Sequence, residues 1–317
     1  MSLPFLQPYF GLSNSLQTAQ GSSSSGPTRG VFSLGYTTTY SNVMEYITIA
    51  TTGNATDFGD LTVSRSSTSS VNSTTRGIFG GGGISGTNSN VMDYITVATI
   101  GNATDFGDLI VINVSMGGVS SSTRGVWAGG YVSGAYSKAM SYITIATIGN
   151  ATSFGDFTLI RAGVGSVNSD VRGVFGGGTS GAIIQFMNTT DYITIATTGD
   201  AIDFGDLTVS RSYNAGVNSD VRGLFCGGNQ GGTSNVIDYI TIATLSNATD
   251  FGDLIVARES LATSGVNSST RGVVGGGETP SMTNLMDYIT IATLGNSVSF
   301  GNLSAVNQGI CGLQNGL

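Results

Sequence analysis

The feature that most constrains this chain is a sixfold internal repeat. An Arg-Gly pair occurs at Arg29, Arg76, Arg124, Arg172, Arg222 and Arg271, with spacings of 47, 48, 48, 50 and 49 residues. A Tyr-Ile-Thr triplet follows each pair, at Tyr46, Tyr94, Tyr142, Tyr192, Tyr239 and Tyr288. A Phe-Gly pair completes each unit at Phe58, Phe106, Phe154, Phe204, Phe251 and Phe300. No copy lacks a marker, and a period near 48 fits a propeller blade better than a helical solenoid.

The residues inside each unit read as strands. Val91 to Thr99 is β-branched and aromatic, has no helical period, and runs into a Gly-Asn turn. On a pleated strand Ile47 and Ile49 point to one face, and Tyr46, Thr48 and Ala50 to the other. Both faces carry packable side chains, as a strand sandwiched between two neighbouring sheets requires. Helix is disfavoured throughout, because 49 of 317 residues are Gly and only 30 are charged. In the second copy, strand A is expected at about Ser64 to Asn72, strand B from Arg76 to Gly81, strand C from Val91 to Thr99 and strand D from Thr104 to Leu109. The predicted fold class is all-β: a six-bladed propeller over residues 28–317, with repeats starting near 28, 75, 123, 171, 221 and 270.

At this point the unit resembles the kelch propeller family. The resemblance rests on the double glycines Gly80-Gly81, Gly129-Gly130, Gly176-Gly177, Gly227-Gly228 and Gly275-Gly276, followed in each copy by the Tyr and Phe series. Two departures stand out: Phe replaces the family's usual strand D Trp, and the first copy has Ser33 and Leu34 before Gly35. The near-identity of the copies is also similar to kelch-type virion proteins of tailed phages, marine cyanophages especially. That resemblance implies a structural virion appendage on a tail, neck or capsid, or an adhesin for a host-surface glycan or protein. The residues themselves offer no catalytic constellation, so no enzyme activity and no cofactor are expected.

A propeller must join its first and last blades. Fifteen residues separate Leu61 from Arg76, and fifteen counted on from Leu303 land at 318, one position past the last residue. Residues 304–317 are therefore expected to supply strand A of the first blade, leaving residues 1–27 as an arm. The segment from Gln20 to Gly26 reads as its flexible joint, and Leu3, Phe5, Leu6, Tyr9 and Phe10 as anchors to another virion protein. The alternative is an N-terminal segment that closes the ring itself, since Tyr9 also lies at a strand D distance from Arg29.

The composition narrows the chemistry. His is absent, which removes Ser-His-Asp hydrolysis, His-ligated zinc and the copper site of galactose-oxidase-type propellers. A net charge of −8 argues against nucleic-acid binding. Cys226 and Cys311 form no disulfide framework and no metal motif. The first residues have neither the positive region nor the apolar run of a signal peptide, so synthesis in a host cytoplasm and residence in a virion are expected. The longest apolar runs fall far short of a membrane span.

Three groups of residues are candidates for roles. Asp57 with Asp60 and Asp105 with Asp108 could bind Ca²⁺ together with backbone carbonyls, but the expected role is structural: Asp60, Asp108, Asp156, Asp206 and Asp253 pairing with buried Arg76, Arg124, Arg172, Arg222 and Arg271. Asp-Phe-Gly alone resembles the kinase metal triplet but has no phosphate loop or catalytic Asp beside it. Tyr36, Tyr40, Tyr131 and Tyr136 fall in B–C loops, as do Ile184 and Phe186 of the fourth copy. They form either a recognition rim or caps packed on their own blades.

Overall fold

In the computed structural model, residues 28–181, 185–260 and 265–315 are described, and they contain strands and turns but no helix. Six antiparallel sheets form the blades, each with four strands in the order A-B-C-D, and the sixth adds a short strand, Glu278–Thr279, on the extended start of its strand C. The second blade is Ser69–Asn72, Arg76–Gly80, Val91–Thr96 and Thr104–Asp108. The third is Gly117–Ser120, Arg124–Ala128, Ala139–Thr144 and Thr152–Asp156. Strand A is shorter than the polar run that precedes Arg76, because Arg65 and Ser66 belong to the connection entering the blade.

The first blade is assembled from both ends of the chain. Cys311–Gln314 runs antiparallel to Arg29–Ser33, with Gly30 opposite Gln314 and Ser33 opposite Cys311. The innermost strands of all six blades then neighbour one another around a closed ring. Their facing polar side chains, including Asn72, Ser120, Asn168, Asn218, Asn267 and Gln314, leave only about 20 Å³ between them. Several of these amides and hydroxyls bond backbone groups of the neighbouring blade, as in Asn168 N–H to Asn218 Oδ1 at 3.3 Å and Asn218 Nδ2 to the Asn168 carbonyl at 2.6 Å. The axis is a polar plug, not a pore.

The three repeat markers converge in space. Arg76 lies over the ring of Tyr94 at 4.5 Å, and Tyr94 meets Phe106 edge-on at 6.1 Å. The same Arg then reaches the next blade and donates to the Ile145 carbonyl at 2.9 Å. Every blade repeats this clasp, ending with Arg271 over Tyr288 and bonded to Ile49 of the first blade at 3.1 Å. The glycine after each Arg is needed for close approach: a Cβ on Gly173 would lie 2.5 Å from Cγ2 of Val119 in the preceding blade. The Phe-Gly glycine serves a second lock. Gly59 has φ +136, and a Cβ there would lie 2.5 Å from the Gly101 carbonyl oxygen of the next blade. Around it Gly101 N–H bonds the Phe58 carbonyl at 2.9 Å, and Asp60 N–H bonds Asn102 Oδ1 at 3.0 Å.

The expected ion pairs between these repeat residues are therefore corrected. Arg76, Arg124, Arg172, Arg222 and Arg271 are half-buried, and among the described residues none has a carboxylate within ion-pair distance. The reason is geometric: the Tyr face and a strand-end carbonyl of the next blade already engage the guanidinium. Asp60, Asp108, Asp156, Asp206 and Asp253 act through their backbone, each N–H bonding Asn102, Asn150, Asp200, Asn247 or Asn296 of the following blade. The Asp156 carboxylate pairs instead with exposed Lys138 at 3.1 Å.

Buried charge pairs exist, but between other residues. Arg65–Asp93, Arg161–Asp191, Arg211–Asp238 and Arg258–Asp287 lie at 2.7–2.9 Å between successive blades, with almost no exposed side-chain area. Burial pulls each of these guanidinium groups below its ordinary pKa, and the partnered carboxylate opposes that pull. The clasp and the pair thus differ in cost. Arg172→Ala removes a stack and one charged hydrogen bond at a partly wet site, so a loss of about 1–2 kcal/mol is expected in calorimetric unfolding. Loss of 3 kcal/mol or more would place Arg172 in a tighter, desolvated environment than its half-burial allows.

Candidate functional site

The site is built on one face of the ring, where the D–A connections and the B–C loops meet. Each connection turns through a residue with positive φ ahead of strand A, nine positions after the Phe of Phe-Gly: Ser67 (+52), Ser115 (+58), Gly163 (+66), Tyr213 (+54), Ser260 (+51) and Gly309 (+61). These residues are joined from blade to blade. Ser67 N–H bonds the Gly309 carbonyl, Ser115 that of Ser67, Gly163 that of Ser115, Tyr213 that of Gly163, and Gly309 that of Ser260, at 2.7–3.1 Å. The result is a hydrogen-bonded collar around the axis.

Ser or Gly occupies five collar positions, and Tyr213 is the bulky exception. A left-handed backbone is costly for a large side chain and persists only where surrounding contacts hold it. Here the Tyr213 side chain hydrogen-bonds that of Ser115 and lies near Tyr136, while burial pushes its phenol above the ordinary value.

Over the collar sits a concavity of about 450 Å³, lined by Tyr36, Tyr40, Tyr213, Ser67, Ser115 and Gln308 among others. A second, of about 630 Å³, is lined by Tyr131, Tyr136, Ile160 and Ala162, and it shares Ser115 and Tyr213 with the first. The polar plug of the inner strands closes the axis, so these form a cup.

Tyr36 and Tyr40 meet edge-on at 5.4 Å, and Tyr131 and Tyr136 at 5.2 Å. The second pair is set by a two-residue hairpin in which Tyr131 faces Tyr136 and the tip residues Ser133 and Gly134 have φ +47 and +93. These loop tyrosines pack on each other within their own loops and also line the cup. Each is half-buried, leaving ring area open to a ligand.

Other expected positions fall elsewhere. Phe186 pairs with Thr179 in the fourth blade's loop and is absent from the lining of either concavity. Ile184 lies outside the described residues, as do Leu3, Phe5, Leu6, Tyr9 and Phe10. Sequence reading missed Tyr213 and the collar serines. Aligning the copies on Phe-Gly would have exposed Tyr213 as the one aromatic in a column otherwise Ser or Gly.

No charged side chain lines either concavity, and no helix of the described residues is long and apolar enough to cross a membrane. Among the described residues no cluster of three or more His, Cys, Asp or Glu could hold a metal. Cys226 is enclosed in its blade, where burial pushes the thiol up to about 12, far from the range of a reactive thiolate. What the cup offers is aromatic faces, hydroxyls, an amide and backbone groups on a rigid ring. No protein-family model and no curated protein matches this chain.

Proposed function

We propose that this protein is a non-enzymatic recognition module, a virion appendage of a tailed phage whose tyrosine-lined cup engages a neutral host-surface glycan. The observation that carries the reading is the convergence of five tyrosines from three blades on two adjoining uncharged concavities that share Tyr213. Ring faces stack on the apolar faces of sugars, while Ser67, Ser115 and Gln308 offer hydrogen bonds to hydroxyls. An anionic sugar would find no Lys or Arg in the lining to receive it.

Placement on a phage particle rests on the kelch-like repeat wording and on the apolar residues of segment 1–27, proposed as the arm that binds another virion protein. The cup is tested on glycan arrays carrying neutral and sialylated oligosaccharides. Tyr36→Ala combined with Tyr136→Ala is expected to cut binding of a neutral glycan at least about ten-fold with an unchanged melting temperature. Unchanged binding by that variant, or selective binding of sialylated glycans, would refute the reading. Deleting residues 1–27 should leave glycan binding intact and abolish incorporation into particles.

A further inference from the structure

A second site lies between the second and third blades, apart from the cup and independent of its role. In four places the space between successive blades is filled by a buried pair: Arg65–Asp93, Arg161–Asp191, Arg211–Asp238 and Arg258–Asp287. At the entry to the third blade the same repeat positions carry Asn113 and Ser141. Ser153 stands beside Ser141, whereas in the second, fourth and fifth blades Asp105, Asp203 and Asp250 stand beside an Asp. Each charged group that defines this space elsewhere is neutral here.

The exchange leaves a cavity of about 200 Å³, walled by Leu109, Met116, Trp127 and Met140 with Asn113 and Ser141. Ile110 and Val111, 53% and 44% exposed, flank it towards solvent. Asn113 Nδ2 bonds the Gly129 carbonyl at 2.8 Å, doing for that oxygen what the guanidinium of Arg161 does for Gly177 and that of Arg258 for Gly276. The carbonyls of Trp127 and Ala139 hold the positions of Phe79 and Val91, which both accept from Arg65, and in the third blade that arginine donor is gone.

We infer that this cavity binds a small neutral molecule with an apolar body and a hydrogen-bond-donating head, a hydroxyl or a primary amide. The apolar wall rewards burial of the body, and a cavity of about 150 Å³ in another protein takes a benzene ring. Backbone carbonyls relieved of their arginine select a donor head. A cationic head would be desolvated without the carboxylate that accompanies the guanidinium in the other four places, and an anionic head would meet no cation.

Trp127 is the chain's single tryptophan and lines the cavity, so its fluorescence reports occupancy directly. The probe is cyclohexanol, which does not absorb where tryptophan is excited, with cyclohexylammonium as the charged comparison. Cyclohexanol should give a saturable change in Trp127 emission with a dissociation constant on the order of 1 mM, reasonable for about seven non-hydrogen atoms. It should also raise the melting temperature with increasing concentration, and cyclohexylammonium should bind at least about ten-fold more weakly. Asn113→Arg with Ser141→Asp rebuilds the pair and should abolish the response. Should that variant not fold, Ser141→Leu fills the cavity with apolar atoms and should also abolish it. No saturable change by about 20 mM, far above the expected constant, overturns the proposal, as does undiminished binding by a folded filled variant or tighter binding of the ammonium probe.

Discussion

Asp191→Ala is expected to destabilise the protein by about 3–5 kcal/mol, the range for leaving one member of a buried pair alone. For a domain of this size that corresponds to a melting temperature lowered by roughly 6–15 °C. Arg161, its partner at 2.9 Å, has no exposed side-chain area and could reach no water without opening the blade interface. Thr158 would also lose its acceptor, since its hydroxyl bonds the same carboxylate. The companion variant separates the cost of breaking the pair from the worth of having it. Arg161→Met with Asp191→Val should melt close to the parent protein, because Nε of Arg161 already lacks a partner and the charges bring their own desolvation cost. Calorimetry on both variants decides the matter: a parent-like Asp191→Ala would show that water reaches the guanidinium.

Ending the chain after Gly309 should have a larger effect still, with loss of cooperative unfolding and of near-ultraviolet circular dichroism. The deletion removes the inner strand of the first blade together with Ile310, Cys311 and Leu313, all fully buried. Leu313 fills the space over Gly77 that Val71, Val119, Val167, Val217 and Val266 fill over the corresponding glycines of the other blades. Without it one blade keeps three strands, the ring opens, and the backbone of Arg29–Ser33 becomes an unpaired edge. Removal of residues 1–27 should leave the melting temperature unchanged, because the first blade already has its four strands from Arg29–Ser33, Val43–Thr48, Thr56–Asp60 and Cys311–Gln314. A truncated chain lacking residues 310–317 that unfolded as cooperatively as the parent would contradict the closure described.

The blade count and strand order were legible because they depend on short-range pattern. Arg-Gly, Tyr-Ile-Thr and Phe-Gly recur within each unit of about 48 residues, and strand pairing within a blade involves neighbours in the chain. The loop tyrosines were legible as outliers from that repeat. Pairing of charges was not. Arg76 and Asp60 repeat in parallel and so invite pairing, yet which guanidinium meets which oxygen depends on the stagger between blades. That stagger gives Arg76 a tyrosine face and a carbonyl, and gives the carboxylate of Asp93 to Arg65. A column-by-column comparison held the clue, since Arg65, Arg161, Arg211 and Arg258 recur only in copies whose following blade carries Asp93, Asp191, Asp238 or Asp287.

By itself, then, the sequence determined a six-bladed all-β ring, because a repeated strand pattern with both faces apolar can bury itself only against further copies. The tertiary structure alone decided what the ring carries. Tyr36, Tyr136 and Tyr213 belong to the first and third blades and to the connection entering the fifth, and only closure of the ring brings them to one cup. The space left by Asn113 and Ser141 likewise becomes a cavity only where a neighbouring blade supplies its second wall. Both depend on contacts between segments far apart in the chain, which local pattern does not encode and blade-to-blade packing does.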